Sequence, residues 1–395
     1  MSIVRRLCVM GMAGVLASCA GARSGTRGGA PAQAIRFDPA QVVGDPELEK
    51  LNDEELFAGG TSAYAAGDYR KAARYFDRLA ESFPRSAHRR VALYQAGLAH
   101  ERLEEWQLAL ERFTELADPA KGTGDALDAA FRVAETLYHL ERNADAAAIL
   151  EMIAQRADLP APKRIEAQVQ HGICLLEAGL AQPAEASLRK ALAMWNELPN
   201  KEDVDKYFPG QAQFFLGEIY RLHYESVALD PSKGADALAR DLEDKAQLLL
   251  SAQGHYLRAI RLGQPYWATA AGAQIGALYE NLYEQMVSAP TPPELSGEQV
   301  DLYRQELRKR IRVLIAKAIN VYEGTLEAAE RIGAQNAFVD RTRASLKKMK
   351  DLLLSDAQRD EAEGGATSAG SSAAVDEAAP APAPDANRSD DEPHT

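Results

Sequence analysis

Cysteine is scarce in this 395-residue chain: there are three, and Cys8 and Cys19 both sit in the first nineteen residues. That rules out a disulfide framework, and Cys174, alone in the body of the sequence, reads as a buried thiol at a helix-packing position. Long apolar runs are missing too. The stretch Leu7 to Ala17 is about eleven residues, against the roughly twenty a bilayer-spanning helix needs, so it reads as the hydrophobic part of an export signal. No alternation of apolar and polar residues lasts long enough for a strand. The seven histidines form no pair at ligand spacing. His100 and His139 fall near one face of consecutive segments, but no cysteine or second histidine stands at helical i+4, and they read as structural. H-E-x-x-H, G-x-S-x-G and G-x-x-x-x-G-K-[ST] do not occur. No metal, cofactor, small-molecule substrate or catalytic residue is therefore expected. An enzyme would need a compact cavity with strongly perturbed titratable groups, whereas pairs such as Glu54/Glu55 and Glu104/Glu105 belong to an acidic surface. Positive charge is in deficit, with 45 Lys and Arg against 58 Asp and Glu and a net charge of −13, which argues against nucleic acid as a ligand.

What the sequence does contain is a repeat. Small residues twelve positions apart recur four times, at Gly60/Ala72, Gly97/Ala109, Ala134/Ala146 and Gly172/Ala184, each pair 37 or 38 residues after the last. The pattern predicts an all-α solenoid of antiparallel helix pairs, with the small residues where two helices press closest. The first unit runs Gly60, Tyr64, the turn Gly67-Asp68-Tyr69, then Ala72, Phe76, Leu79 and Pro84. These residues resemble the tetratricopeptide repeat, in which a small residue on helix A meets one on helix B, an aromatic caps the turn and a proline closes the unit. The second unit keeps Leu93, Gly97, Trp106, Ala109 and Phe113 but has Lys121 where the proline belongs. The third keeps Ala134, Ala146 and Leu150, with Asn143 in place of the turn aromatic, and the fourth keeps Gly172, Gly179, Ala184 and Ala191.

Later units are more degenerate. Phe214 to Tyr220 reads as a fifth helix A whose helix B, near Ala252, Tyr256 and Ala259, follows an insertion. Ile275 to Tyr279 reads as a sixth helix A. Ser296 and Gln299 make a capping-box pattern opening a helix to about Arg331, in which Ala318, Tyr322 and Leu326 stand where helix B belongs. A last helix, about Asn336 to Leu354, would cover the end of the stack. Arg308-Lys309-Arg310 with Arg312 reads as a solvated cluster paired with Asp301 and Glu306. The expected organisation is a signal over 1–19, a tether over 20–45, four repeats over 46–200, degenerate repeats and capping helices over 201–355, and a tail over 356–395. The step Asp45-Pro46 is expected to start the ordered helix.

The two ends bear on location. Leu16-Ala17-Ser18-Cys19 resembles a bacterial lipobox, in which the cysteine thiol is acylated and becomes the lipidated N-terminus. The resemblance implies lipidation at Cys19. Because Ala20 is not the aspartate that typically retains such proteins in the inner membrane, it also implies an outer-membrane anchor facing the periplasm. Residues 20–34, rich in Gly, Ala, Ser and Arg, predict a flexible tether of about 20 Å r.m.s. length. The tail has ten carboxylates against Arg359 and Arg388 and almost no large apolar residue, a composition that does not fold by itself.

The resemblance also implies a groove, since helix A lines the concave face of such stacks. Carrying the register over puts Phe57, Tyr94, Phe131, Val169 and Phe214 in one row and Tyr64, Glu101, Tyr138, Leu176 and Arg221 in the next, with Thr61, Leu98, Glu135 and Glu218 between. Phe57, Tyr64, Tyr94, Glu101, Phe131, Tyr138, Phe214 and Arg221 are the expected partner-binding residues, able to hold a peptide or helix of an envelope protein. The same row could instead fill the seam between repeats. Lipobox and repeats together resemble the outer-membrane lipoproteins that organise envelope machines, including assembly-machine lipoproteins, pilotins and gliding-motility proteins. The implied function is a non-enzymatic protein–protein interaction scaffold. The alternative is a regulator of peptidoglycan synthesis or hydrolysis that binds a cell-wall enzyme or the glycan.

Overall fold

The computed structural model describes residues 46–201, 204–288, 291 and 295–371. The expected signal, Cys19, the tether and Asp45 therefore lie outside the described residues, as do residues 372–395. Among the described residues there are thirteen α-helices and no strand. Twelve of them form six antiparallel pairs. The first three are α1 (Asp53–Ala65) with α2 (Tyr69–Ser82), α3 (Arg89–Arg102) with α4 (Trp106–Thr114), and α5 (Asp125–His139) with α6 (Asn143–Ala154). They are followed by α7 (Ala161–Glu177) with α8 (Ala181–Asn196), α9 (Tyr207–Ser226) with α10 (Ala235–Leu262), and α11 (Pro265–Ser288) with α12 (Gly297–Arg331). The last helix, α13 (Ala337–Ser371), packs on both α11 and α12. Each helix packs against its neighbours in sequence, and three A helices also pack on the next A helix: α3 on α5, α7 on α9 and α9 on α11. The result is an all-α, tetratricopeptide-like solenoid.

The small-residue repeat has a simple packing cause. A Cβ on Gly60 would fall 2.7 Å from the Phe76 ring, on Gly97 2.6 Å from Phe113, and on Gly172 2.8 Å from Leu188. The insertion-split pairs repeat the contact, with Gly217 at 2.5 Å from Tyr256 and Gly276 at 2.1 Å from Tyr322. The small residue on helix A therefore receives a large side chain one turn beyond the small residue on helix B. It is not mainly a small-to-small contact, although Ala72, Ala109, Ala146 and Ala184 are all fully buried. The period also appears in the backbone. Gly67 (φ 78°) and Gly179 (φ 81°) turn the chain left-handed between helices A and B, and Glu104 (φ 58°) and Glu141 (φ 63°) hold the same position in the second and third pairs. A side chain there costs roughly 1–2 kcal/mol relative to glycine.

Two expected boundaries move. After Pro46 the chain makes only a 3-10 turn, Leu48–Lys50, and the first α-helix among the described residues begins at Asp53, where Asn52 and Glu55 form a reciprocal capping box, each side chain bonding the other's backbone N–H at 2.9 Å. At the other end α13 does not stop near Leu354 but continues to Ser371, into the segment expected to be unfolded. An established helix propagates through good helix formers, and Ala357, Gln358, Arg359, Glu361, Ala362 and Glu363 are of that kind, which accounts for its passage beyond Leu354, whereas Gly364, Gly365 and Gly370 near its end are poor helix formers. The capping box at Ser296 and Gln299 and the helix to Arg331 are as expected.

The core differs along the stack. From Ile165 to Met349 the buried apolar residues form one continuous cluster, whereas the first three pairs hold several smaller ones. In the larger core Glu218 is fully buried, with Oε2 accepting from Arg221 (2.9 Å) and Oε1 accepting from the Tyr256 hydroxyl and Gln274 Nε2 (2.8 Å). Lys245, also buried, donates to the carbonyls of Tyr224 (2.6 Å) and Val227 (2.7 Å), satisfying acceptors at the end of α9.

Candidate functional site

The A-helix face carries a trough of about 240 Å³ that crosses four successive pairs. Tyr94 comes from α3, Asp128, Phe131, Arg132 and Glu135 from α5, Lys163, Glu166 and Gln170 from α7, and Tyr207, Phe208 and Gln211 from α9. Helical spacing sets this lining. Counting from each pair's small residue, Asp128, Glu166 and Gln211 stand six positions before it, Arg132 and Gln170 two before, and Tyr94 and Phe131 three before, so equivalent positions present side chains side by side.

The polar groups are tied together. Arg132 Nη1 donates to Glu135 Oε2 (2.9 Å) and lies 3.4 Å from Glu101 Oε2. Lys163 Nζ donates to Glu166 Oε2 (3.1 Å) and sits 5.2 Å over the Phe131 ring. Burial pushes the Glu101 carboxyl up to about 8, with Arg132 only partly opposing it and Glu135 adding to it. Burial likewise raises Glu135 and Glu166 against the pull of Arg132 and Lys163. Burial also works against the charge on Arg132, but Glu135, Glu101 and Tyr94 more than offset it. Two buried acceptors here have no hydrogen-bond partner, Glu101 Oε1 and Gln211 Oε1, and Gln211 is only 3% exposed. Buried acceptors left without a partner inside the protein call for a donor from water or from a bound group.

Of the expected partner-binding residues, the structure brings Tyr94, Glu101 and Phe131 to this trough, with Glu101 reaching it through Arg132. Phe57, Tyr64 and Tyr138 are half-buried but do not line it. Phe57 stacks on His88 at 4.5 Å and Tyr64 meets Tyr69 edge-on at 5.2 Å. Phe214 and Arg221 are corrections. Phe214 is fully buried against Tyr256, Phe215 and Trp267, and Arg221, 5% exposed, is held by Glu218 and Glu225. In this part of the stack α11 packs directly on α9 and closes the face that the register would leave open. Val169 and Leu176 from the same rows are buried as well.

Sequence reasoning missed Asp128, Arg132, Lys163, Glu166, Gln170, Tyr207, Phe208 and Gln211. Most were within its reach, since the same register, moved to two and six positions before the small residue, selects Asp128, Arg132, Glu166, Gln170 and Gln211. Glu135 was placed between the aromatic rows and does line the trough. The raised carboxylates were not expected, and such groups beside a hollow also occur at catalytic sites. Here the hollow is open and the cations are held by the neighbouring acids. His100 is structural: both ring nitrogens bond carboxylates, Asp77 at 3.0 Å and Glu105 at 2.8 Å. His139 stacks on Trp106 at 3.9 Å, and Cys174 is buried and in no disulfide. Two further hollows, one lined by Leu229, Leu238, Leu242, Met286, Tyr303 and Leu307 and one between α10, α11 and α12, are mostly apolar. Among the described residues no cluster of His, Cys, Asp and Glu could hold a metal ion, and no helix is long and apolar enough to cross a membrane.

Comparison with known proteins matches residues 56–86 to the tetratricopeptide repeat, the unit with the fullest sequence pattern. No curated protein matches the chain. Among solved structures, a tetratricopeptide repeat protein from Parabacteroides merdae is 14% identical, with a TM-score of 0.34, over 75% of this chain and 98% of that one. A TPR repeats protein from Bacteroides fragilis is 14% identical, with a TM-score of 0.29, over 57% of this chain and 99% of that one. A Rap protein complexed with Competence and Sporulation Factor is 15% identical, with a TM-score of 0.36, over 78% of this chain and 91% of that one.

Proposed function

We propose that the chain is a non-enzymatic interaction scaffold, lipid-anchored through Cys19 in the outer membrane and facing the periplasm, that recruits a component of a cell-envelope machine. The trough carries this reading. It is an open channel along the A-helix face, with half-exposed Tyr94 and Phe131 for contact area and orphaned acceptors at Glu101 and Gln211 for register, the ingredients of peptide or helix capture. The lipobox at Leu16 to Cys19 and the apolar run before it support the anchor. Gliding motility, secretion or pilus assembly, and outer-membrane protein assembly are the machines this combination serves in proteins it resembles.

The test is in-cell crosslinking of a tagged full-length chain, with mass-spectrometric identification of what co-purifies, beside a Tyr94→Ala/Phe131→Ala double variant. Enrichment of one envelope machine that disappears in the variant is the expected result. Enrichment that survives moves the contact off the trough, and recovery of purified sacculi in place of a protein partner replaces this reading with the peptidoglycan one. For the anchor, Cys19→Ser should shift the protein from the membrane fraction to the soluble fraction and abolish incorporation of labelled palmitate. Unchanged labelling would remove Cys19 from the reading.

A further inference from the structure

The proposed scaffold leaves open what chemistry the trough selects, and the unmet demands of its lining are of one kind. Three carboxylates, Asp128, Glu135 and Glu166, line the trough with two cations, Arg132 and Lys163, and Glu101 adjoins them with Arg102 on its own helix. Both cations are already engaged, Arg132 with Glu101 and Glu135, and Lys163 with Glu166 and the face of Phe131. An acidic ligand would have to displace these pairs and would bring its own negative charge beside an existing excess. The hydrogen-bond accounting agrees. Gln211 Oε1 in the lining and Glu101 Oε1 beside it are buried without a hydrogen-bond partner; the amide oxygen is met only by a donor, and so is the Glu101 oxygen once its carboxyl is ionised. Lys and Arg side chains bring three and five N–H donors and no acceptor, and an extended backbone brings more.

Resting on the reading of the trough as a protein-binding site, we propose that its occupant is an extended, cationic segment of a partner protein. A Lys or Arg of that segment enters at Glu101 and Glu135, and an N–H of the same segment donates to Gln211 Oε1. The aromatic side chains Tyr94, Phe131, Tyr207 and Phe208 give the aliphatic stem and flanking residues their contact area. The trough is lined in turn from α3, α5, α7 and α9, so its occupant crosses four A helices. The raised pKa of Glu101, Glu135 and Glu166 follows from the same shortage: burial without enough positive charge favours the protonated acids, and an incoming cation supplies what is missing.

The experiment is selection of a random twelve-residue phage-displayed peptide library on the purified full chain, followed by affinity measurement of synthetic versions of the enriched peptides. Wild type is compared with Glu101→Gln/Glu135→Gln, with Tyr94→Ala/Phe131→Ala, and with Glu298→Gln/Glu327→Gln, which removes the same charge from exposed positions on α12. Circular dichroism melts confirm that each variant folds. We expect enriched peptides with Lys or Arg beside an aromatic or aliphatic residue, a loss of tenfold or more in both trough variants, and no change in the α12 variant. Acidic or uncharged peptides that lose affinity only in Tyr94→Ala/Phe131→Ala would overturn the cationic preference and leave the trough as a protein-binding site. Cationic peptides equally weakened by the α12 variant would reduce the effect to general attraction by an acidic protein. Absence of any enriched sequence would overturn both readings.

Discussion

Phe131 and Phe214 stand at the same place in their repeats, three residues before a small residue, and end in opposite environments. Phe131 is half-exposed beneath Lys163 on the wall of the trough, while Phe214 is fully buried among Tyr256, Phe215 and Trp267. Glu135 and Glu218 form a second such pair, each one residue after the small position. Glu135 lines the trough, and Glu218 is sealed in a network with Arg221, Tyr256 and Gln274. The helix pair is the same unit in both halves, so the register alone does not decide exposure. What decides it is how the next pair sits: α11 lies on α9, and the long α12 and α13 close around α11, whereas α3, α5, α7 and the first turns of α9 leave a channel between them. One repeat thus builds a binding surface in the first half of the stack and a continuous core in the second.

Removing Glu218 should have the largest effect. Glu218→Ala leaves Arg221 buried without its main partner, which costs roughly 3–5 kcal/mol, and chemical denaturation should show the second half unfolding first. Equal stability of variant and wild type would mean that the network is not needed there. Next come the paired phenylalanines. Phe214→Ala should cost roughly 3–5 kcal/mol as a cavity in packed core, and Phe131→Ala less, roughly 1–2 kcal/mol, because its ring is partly exposed although it packs against two core clusters. Binding of a partner should show the reverse order. Similar stability losses for both would erase the distinction between the halves.

A third prediction concerns pH. Glu101 is held above its ordinary range, up to about 8, by burial, facing Arg132 and Glu135 of α5, Arg102 of its own helix and Tyr64 of α1. A folded-state pKa above the unfolded one means that the stability it contributes is full below about 4.5 and is lost as pH rises through about 8. Glu101→Gln should therefore flatten the fall in melting temperature between pH 5 and 8.5 and raise the value at the upper end. His100 contributes in the same direction over a different window. Burial lowers its pKa but Asp77 and Glu105 more than compensate, so its contribution fades above the ordinary imidazole range. A pH profile unchanged by Glu101→Gln would show the carboxylate to be solvated. The smallest effect belongs to the turns. Glu104→Gly and Glu141→Gly should each stabilise the first half by about 1 kcal/mol by relieving a left-handed side-chain residue. A loss of stability would mean that those glutamates make contacts outweighing the backbone cost.

The fold was legible far into the chain because its cause is local. A large side chain from helix B, a ring in four pairs and Leu188 in another, lands on a residue without a side chain, so Gly60, Gly97, Gly172, Gly217 and Gly276 mark five of the six pairs even where other signatures fade, with Ala134 in the third. The site was only partly legible. Tyr94, Glu101 and Phe131 follow from the register, and the polar residues at its neighbouring offsets could have been read the same way. Phe214 and Arg221 could not be told from them, since nothing in α9 itself announces that α11 will cover it. Helix ends were the least legible feature, because capping at Asn52 and propagation of α13 past Leu354 depend on which of several competing local bonds forms.

By itself the sequence determined the secondary structure, the helix pairing and the period, because close helix contact is enforced by residues a fixed number of positions apart. Only the tertiary structure decided which faces of those helices meet solvent and which meet each other. The burial of Glu218 and the raised Glu101 carboxyl depend on side chains from helices distant in the chain, and desolvation is set by everything packed around a group and not by its neighbours in sequence.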